Sequence, residues 1–187
     1  MSLYNTITYV KDKRRNVSKA KLIDDFLNQN EVIVDIGTGS GGLANYLTQN
    51  NFEVTTVDVV DKTIHNDIIP IIYDGAHLPF NDENFDASML ITVLHHCPNP
   101  EQVFAEAVRV SKKKIIVLED VYSTWLMKHL TWFMDSLVNM EFKGHPHSNK
   151  SEAQWEDLFQ KHNLKVKKKT KTKVLVFFTQ VMYHLEK

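Results

Sequence analysis

The stretch from Val32 to Gly42 constrains this chain more than any other. An apolar run carries one acid, Asp35, and within two residues passes into Gly37-Thr38-Gly39-Ser40-Gly41-Gly42. Such a run, stopped by glycine, reads as a buried strand. The glycines allow a turn with positive φ and a backbone that a ligand can approach without meeting a Cβ. The helix start that follows offers N–H groups with no partner inside the helix. The expectation is a strand, a tight loop and a helix gathered around a nucleotide-like ligand.

The rest of the chain repeats the strand-and-helix pattern. Residues 11–30 carry Val17, Ala20, Leu22, Ile23, Phe26 and Leu27 at helical spacing. Further strands are expected at Val54 to Val57, Ile68 to Tyr73, Ala87 to Val93 and Lys114 to Leu118. Helices are expected over Leu43 to Thr48 and, after Pro100, over Glu101 to Val110. Strands this continuously apolar, alternating with helices, predict a parallel sheet covered on both faces. Beyond them, Tyr122 to Met140 reads as a long aromatic helix. Ser151 can N-cap a helix bearing Trp155, Leu158 and Phe159. Leu164 to Lys169 and Val174 to Leu185 read as a hairpin that finishes the sheet antiparallel.

At 187 residues the chain is the size of one domain. We expect a single domain over 1–187: a helical cap over 1–30, a ligand-binding half over 31–120, and substrate-side helices with a hairpin over 121–187. Its 22 Lys and Arg against 23 Asp and Glu give no global reason to expect a nucleic-acid or anionic-membrane partner. The single cysteine, Cys97, leaves no internal disulfide and suits a reducing, cytoplasmic compartment. No signal-type apolar core stands at the N-terminus, and no segment approaches the roughly 20 apolar residues of a membrane span.

The glycine run satisfies both G-x-G-x-x-G and an alternating G-x-G-x-G, so alone it selects no ligand. Asp58, closing the second strand, would accept hydrogen bonds from ribose hydroxyls in either case. Asp35 discriminates, because a carboxylate at the mouth of the first strand repels a pyrophosphate and attracts an ammonium or sulfonium group. Asp74 at the end of the third strand could accept from an adenine amine. Hydride-transfer machinery finds no support, since the two Tyr-x-x-x-Lys matches, Tyr9 with Lys13 and Tyr183 with Lys187, lie at the termini.

Through Val34 to Gly41, Thr56-Val57-Asp58, Asp74 to Phe80, Phe85-Asp86 and Leu94-His95-His96, the chain resembles the class I S-adenosylmethionine-dependent methyltransferases, in their type 11-like small-molecule group. The resemblance covers Glu31 to Asp120 closely. It implies an α/β, Rossmann-like three-layer sandwich with a seven-stranded, mostly parallel sheet whose last strand is antiparallel. The implied function is methyl transfer from S-adenosylmethionine to a small-molecule acceptor. Within that family's site, Asp35 faces the cationic end, Gly37, Thr38 and Gly39 line the methionine part, and Asp58 holds the ribose. Val59 packs on adenine, Asp74 and Gly75 flank its edge, and Leu90, Ile91 and Thr92 end the fourth strand beside the methionine. The chain departs from the pattern at Ser111 to Lys114, which shortens a turn, and between Asp61 and Asp74, where the helix after the second strand is expected to be degenerate.

Residues for the acceptor side must lie at the carboxyl ends of strands. His95, His96 and Asp120 are candidate catalytic groups, and Glu119, Asp120, His145 and His147 candidate substrate contacts. The plainer reading is that the histidines and acids cap loops and helices. No pair shows a metal-ligand spacing, and no metal is expected. Lys165 to Lys173 holds six lysines in nine residues, read as the solvated face of an edge hairpin rather than a phosphate-backbone contact. Two other classes remain open: a dinucleotide-dependent oxidoreductase, and a methyltransferase-like protein that binds the cofactor without turnover.

Overall fold

The structure, a computed structural model, describes residues 16–23, 25–122, 149–174 and 178–187. Helix α1 (16–23) is followed by strand β1 (Val32–Ile36), helix α2 (Gly42–Gln49), β2 (Glu53–Asp58), β3 (Ile71–Ile72), β4 (Phe85–Ile91) and a 3₁₀ turn at Leu94–His96. Helix α3 (Pro100–Val110), β5 (Ser111–Val121), helix α4 (Glu152–Lys161), β6 (Lys165–Val174) and β7 (Phe178–Glu186) complete the described elements. The seven strands form one sheet in the order β3-β2-β1-β4-β5-β7-β6. β3, β2, β1, β4 and β5 pair in parallel, and β7 enters antiparallel between β5 and β6. This is the α/β sandwich expected from the sequence, antiparallel last strand included.

Local chemistry sets the boundaries. Asn99 caps α3 by accepting from Gln102 N–H while Pro100 takes the first turn, and Ser151 with Gln154 forms a reciprocal capping box on α4; each such cap is worth about 1 kcal/mol. β5 begins at the residue after α3 ends, the shortened turn anticipated at Ser111. Strand periodicity sends alternate side chains to opposite faces. Val34, Ile36, Leu90, Ile115 and Val117 meet Val103, Phe104, Trp155 and Phe159 in one core. Ile33, Met89, Ile91, Ile116 and Leu118 meet Ala20, Ile23, Leu43 and Leu47 in the other.

Two expectations needed adjustment. The strand over Ile68 to Tyr73 shrinks to Ile71–Ile72, because Pro70 cannot donate to a ladder and no described helix between Asp58 and Ile71 packs this edge down. The helix over 11–30 is described only as 16–23, after which residues 25–31 turn toward β1. The aromatic segment with Trp125, Trp132, Phe133 and Met134 lies outside the described residues, apart from Tyr122 at its start, and so do His145 and His147. At the far edge, the lysines of β6 are largely ion-paired: Lys169 with Glu152 and Glu156, Lys171 with Glu152, Lys168 with Asp25 and Lys167 with Glu186. That is the solvated-edge reading.

Candidate functional site

The carboxyl ends of β1, β2 and β4 open onto a cavity of about 540 Å³, within the size range of small-molecule and cofactor pockets. It runs from Tyr73, Gly75, Val59, Val60, Lys62 and Asp58 at the β2–β3 end, past the Gly37 to Ser40 loop, to Asp35, Ile91, Thr92 and Val93 at the β1–β4 end. Cys97, Pro98 and His96 close one wall, and Asn16 and Lys19 of α1 close another.

The two glycines at the loop's heart serve different needs. Gly37 has φ +75°, and a Cβ there would stand 2.2 Å from a Val93 methyl, so its glycine is demanded by packing. Gly39 has φ +55°, yet a Cβ would meet no protein atom within 4 Å. The space in front of Gly39 belongs to the cavity. Its N–H donates to Asp58 Oδ2 at 2.9 Å, and Asp58 Oδ1 accepts from Val59 N–H at 2.7 Å, so Asp58 is held at the rim by backbone on both sides.

Asp35 is 3% exposed and has one hydrogen bond, accepted from Thr38 Oγ1 at 2.8 Å. Burial pushes its carboxyl up to about 6; the Thr38 bond and the Lys19 charge pull it down, and Asp58 adds to the rise. A buried carboxylate this sparsely satisfied, at the wall of a cavity, fits a ligand that brings a cation or donors to it. This carboxylate, with the open face of Gly39, meets the demand of a cofactor carrying an ammonium and a sulfonium.

The structure sorts the other candidates. Thr38, Val59, Gly75 and Ile91 line the cavity, as does His96. Leu90 does not: its side chain is fully buried in the core shared with α3 and α4, because strand alternation turns it away from the face that Ile91 shares with α1 and α2. Asp74 lies beside the cavity wall rather than in it, accepting from Ala76 and His77 N–H through Oδ1. That turn lowers its carboxyl below the usual range.

Glu119 is withdrawn from any ligand. It is wholly buried, and its Oε1 accepts from Val93 N–H at 3.1 Å and Leu94 N–H at 2.7 Å. Its Oε2 lies 2.5 Å from Nδ1 of His95, itself 2% exposed. The pair ties the end of β5 to the turn after β4, and neither of these candidates for a substrate or catalytic role lines the cavity. Asp120 pairs in register with Gln180 and does not line the cavity. His96, whose ring is tilted 41° to that of His95 with the centroids 4.0 Å apart, is the histidine this clamp presents to the cavity. Burial, with Glu119 and Asp58 adding to it, pushes the Cys97 thiol up to about 11, which keeps it protonated. No cluster of three metal-ligating side chains occurs among the described residues.

Sequence reasoning missed Asn16, Lys19, Lys62 and Tyr73 as lining residues. A signal existed for the first two: Asn16 lies on the stripe of Ala20 and Ile23 and is itself buried, a polar break in an otherwise apolar helix face.

Comparison with known proteins agrees. A family model described as a methyltransferase domain matches residues 34–118. The chain is 32% identical over 93 residues to sterol methyltransferase-like 1 of Botryococcus braunii, covering 43% of this chain and 24% of that protein. It is 26% identical over 116 residues to the sterol 24-C-methyltransferase of Schizosaccharomyces pombe, covering 52% of this chain and 31% of that protein. The chain thus spans a third or less of the length of these two curated relatives. In fold it is similar to the magnesium protoporphyrin IX methyltransferase of Synechocystis PCC 6803, solved with bound S-adenosylhomocysteine, at a TM-score of 0.70 and 15% identity over 100% of this chain and 88% of that one. The matched segment is that of a methyltransferase domain and holds every lining residue of the cavity except Asn16 and Lys19.

Proposed function

We propose that this chain, as one domain, transfers a methyl group from S-adenosylmethionine to a small-molecule acceptor in the cytoplasm. The observation that carries the reading is Asp35, a buried, singly hydrogen-bonded carboxylate beside the open face of Gly39. Bound there, the cofactor supplies an electrophilic methyl on sulfur and leaves as S-adenosylhomocysteine. The chain's own part is to hold and orient. Asp58 presents a carboxylate to the ribose hydroxyls, Val59 and Gly75 form a surface for adenine beside Asp74, and Gly37, Thr38 and Ile91 border the amino-acid end.

Much of the rate of an in-line methyl transfer comes from alignment, so a base is needed only for an acceptor that arrives protonated. His96 is the imidazole on the cavity wall suited to take that proton, since His95 is committed to Glu119. A dinucleotide reading is disfavoured by the same geometry. A pyrophosphate at the Gly39 loop would face Asp35 and Asp58 together, with the Gly39 N–H already given to Asp58.

Calorimetry tests the reading. We expect S-adenosylmethionine and S-adenosylhomocysteine to bind and a nicotinamide dinucleotide not to. Asp58→Ala should weaken cofactor binding by about 1 to 3 kcal/mol. Binding of the dinucleotide with no binding of either adenosyl compound at millimolar concentration would overturn it.

A further inference from the structure

Residues 73–84, between β3 and β4, form no helix or strand, yet they border the cavity: Tyr73 and Gly75 line it. A stretch of this kind has no ladder to fix it, so its place depends on where its backbone groups find partners. At its start the partners are local. Tyr73 N–H donates to Asp58 O at 3.1 Å, and Asp74 Oδ1 accepts from the N–H groups of Ala76 and His77.

The rest is gripped by two residues of α3 that do not line the cavity. Glu106 Oε2 accepts from Leu78 N–H at 2.8 Å. Arg109 Nη2 donates to Leu78 O at 3.2 Å and Nη1 to Phe80 O at 2.8 Å, while the Arg109 carbonyl accepts from Glu83 N–H at 2.9 Å. The two side chains are locked to each other by paired bonds, Nε to Oε1 and Nη2 to Oε2, both at 2.8 Å, and Asp82 Oδ1 takes a further bond from Nη1 at 2.8 Å. Leu78, held at both its N–H and its carbonyl, is 5% exposed and belongs to the core shared with α3. Only a planar fork of donors serves this many acceptors at once, which is the property that separates arginine from lysine.

We propose that Glu106 and Arg109 are positioning residues for the nucleobase: by gripping Leu78 and Phe80 they set where Asp74 and Gly75 stand, and with that the site's preference for adenine over a base bearing an oxo group in place of the amine. The inference rests on the cofactor reading above and adds to it two residues that touch no ligand. A carboxylate accepts from an amine and is repelled by an oxo group. That difference holds only while the carboxylate stays within hydrogen-bond reach, and a displacement of about 1 Å is enough to lose it. The loop has no strand pairing of its own to prevent such a displacement, so α3 supplies the restraint from behind.

The test uses the full chain and two probes that differ only in the base: S-adenosylhomocysteine and S-inosylhomocysteine. Calorimetry of wild type, Arg109→Met and Arg109→Lys is read beside their melting curves. Wild type should prefer the adenosyl compound by about tenfold or more, the worth of one hydrogen bond to a charged group. Arg109→Met should bring that preference close to parity, chiefly by weakening the adenosyl compound, and Arg109→Lys, which keeps the charge without the fork, should fall between. A merely structural role would lower the melting temperature and leave the ratio of the two affinities in the folded protein as it was. Should Arg109→Met fail to fold, Glu106→Gln, which keeps the shape and loses the charge, carries the same expectation of a reduced ratio. An unchanged ratio in a folded variant, or a wild type that binds both probes equally, overturns the positioning role while leaving the cofactor reading intact. Wild type that binds neither probe overturns both.

Discussion

Two acids sit at the carboxyl ends of strands in the same sheet, Asp35 on β1 and Glu119 on β5, both almost wholly buried, and they do opposite work. Glu119 is satisfied from within: two backbone N–H groups and the His95 ring surround it, and it does not line the cavity. Asp35 accepts one hydrogen bond and lines the cavity wall. Burial cost falls on each carboxylate, and the difference lies in whether the protein or a ligand offsets it. A buried acid is thus informative about function through what its lone pairs lack.

The sharpest way to break this contrast is at Glu119. Glu119→Ala leaves two N–H groups and a histidine without their acceptor, and we expect a loss of about 3 to 5 kcal/mol by urea denaturation. A loss below 1 kcal/mol would mean the clamp is ornamental. Next come the glycines beside Asp35. Gly37→Ala should cost about 2 to 4 kcal/mol from the clash with Val93 and the positive φ. Gly39→Ala should cost about 1 to 2 kcal/mol from its φ alone, while hindering the cofactor. Equal costs in the two unfolding curves would deny the division between packing and ligand access.

A pH series addresses Asp35 itself. Its folded value of about 6 lies above the ordinary carboxylate value of about 3.9, so the unfolded chain releases this proton first. The stability it contributes is complete below about pH 3.9 and is lost as pH rises through 6. Burial lowers His184, which gives the opposite trend, stability lost as pH falls below about 6.5. The difference between wild type and Asp35→Asn removes that background. Between pH 4 and 7 it should shift in favour of the variant as pH rises, and a flat difference would contradict the account. The smallest effect belongs to the far edge: Lys171→Ala, breaking an exposed pair with Glu152, should change stability by less than about 1 kcal/mol, and less still in high salt.

Legibility followed the physics of each feature. Strand and helix positions were readable because hydrophobic period and capping are local: the Ser151 box and the Asn99–Pro100 start appear in the structure where the letters place them. The glycine loop and its acids were readable for the same reason. The short β3 was over-read, because the isoleucines at 68, 69, 71 and 72 have strand propensity but Ile69, Ile71 and Ile72 remain exposed at a sheet edge. His95 and His96 look equivalent as neighbours in the chain, yet one turns inward to Glu119 and the other outward to the cavity.

What the sequence determined by itself is the alternating sheet, the glycine loop and the presence of Asp35 and Asp58 at strand ends, since these depend on residues within a few positions of one another. What only the tertiary structure decided is which groups complete the site. Lys19 reaches Thr92 across 73 positions of chain, and Glu119 reaches His95 across 24. The direction of a side chain on a packed face, and the partner that waits there, are set by how the layers stack, and no local pattern encodes that stacking.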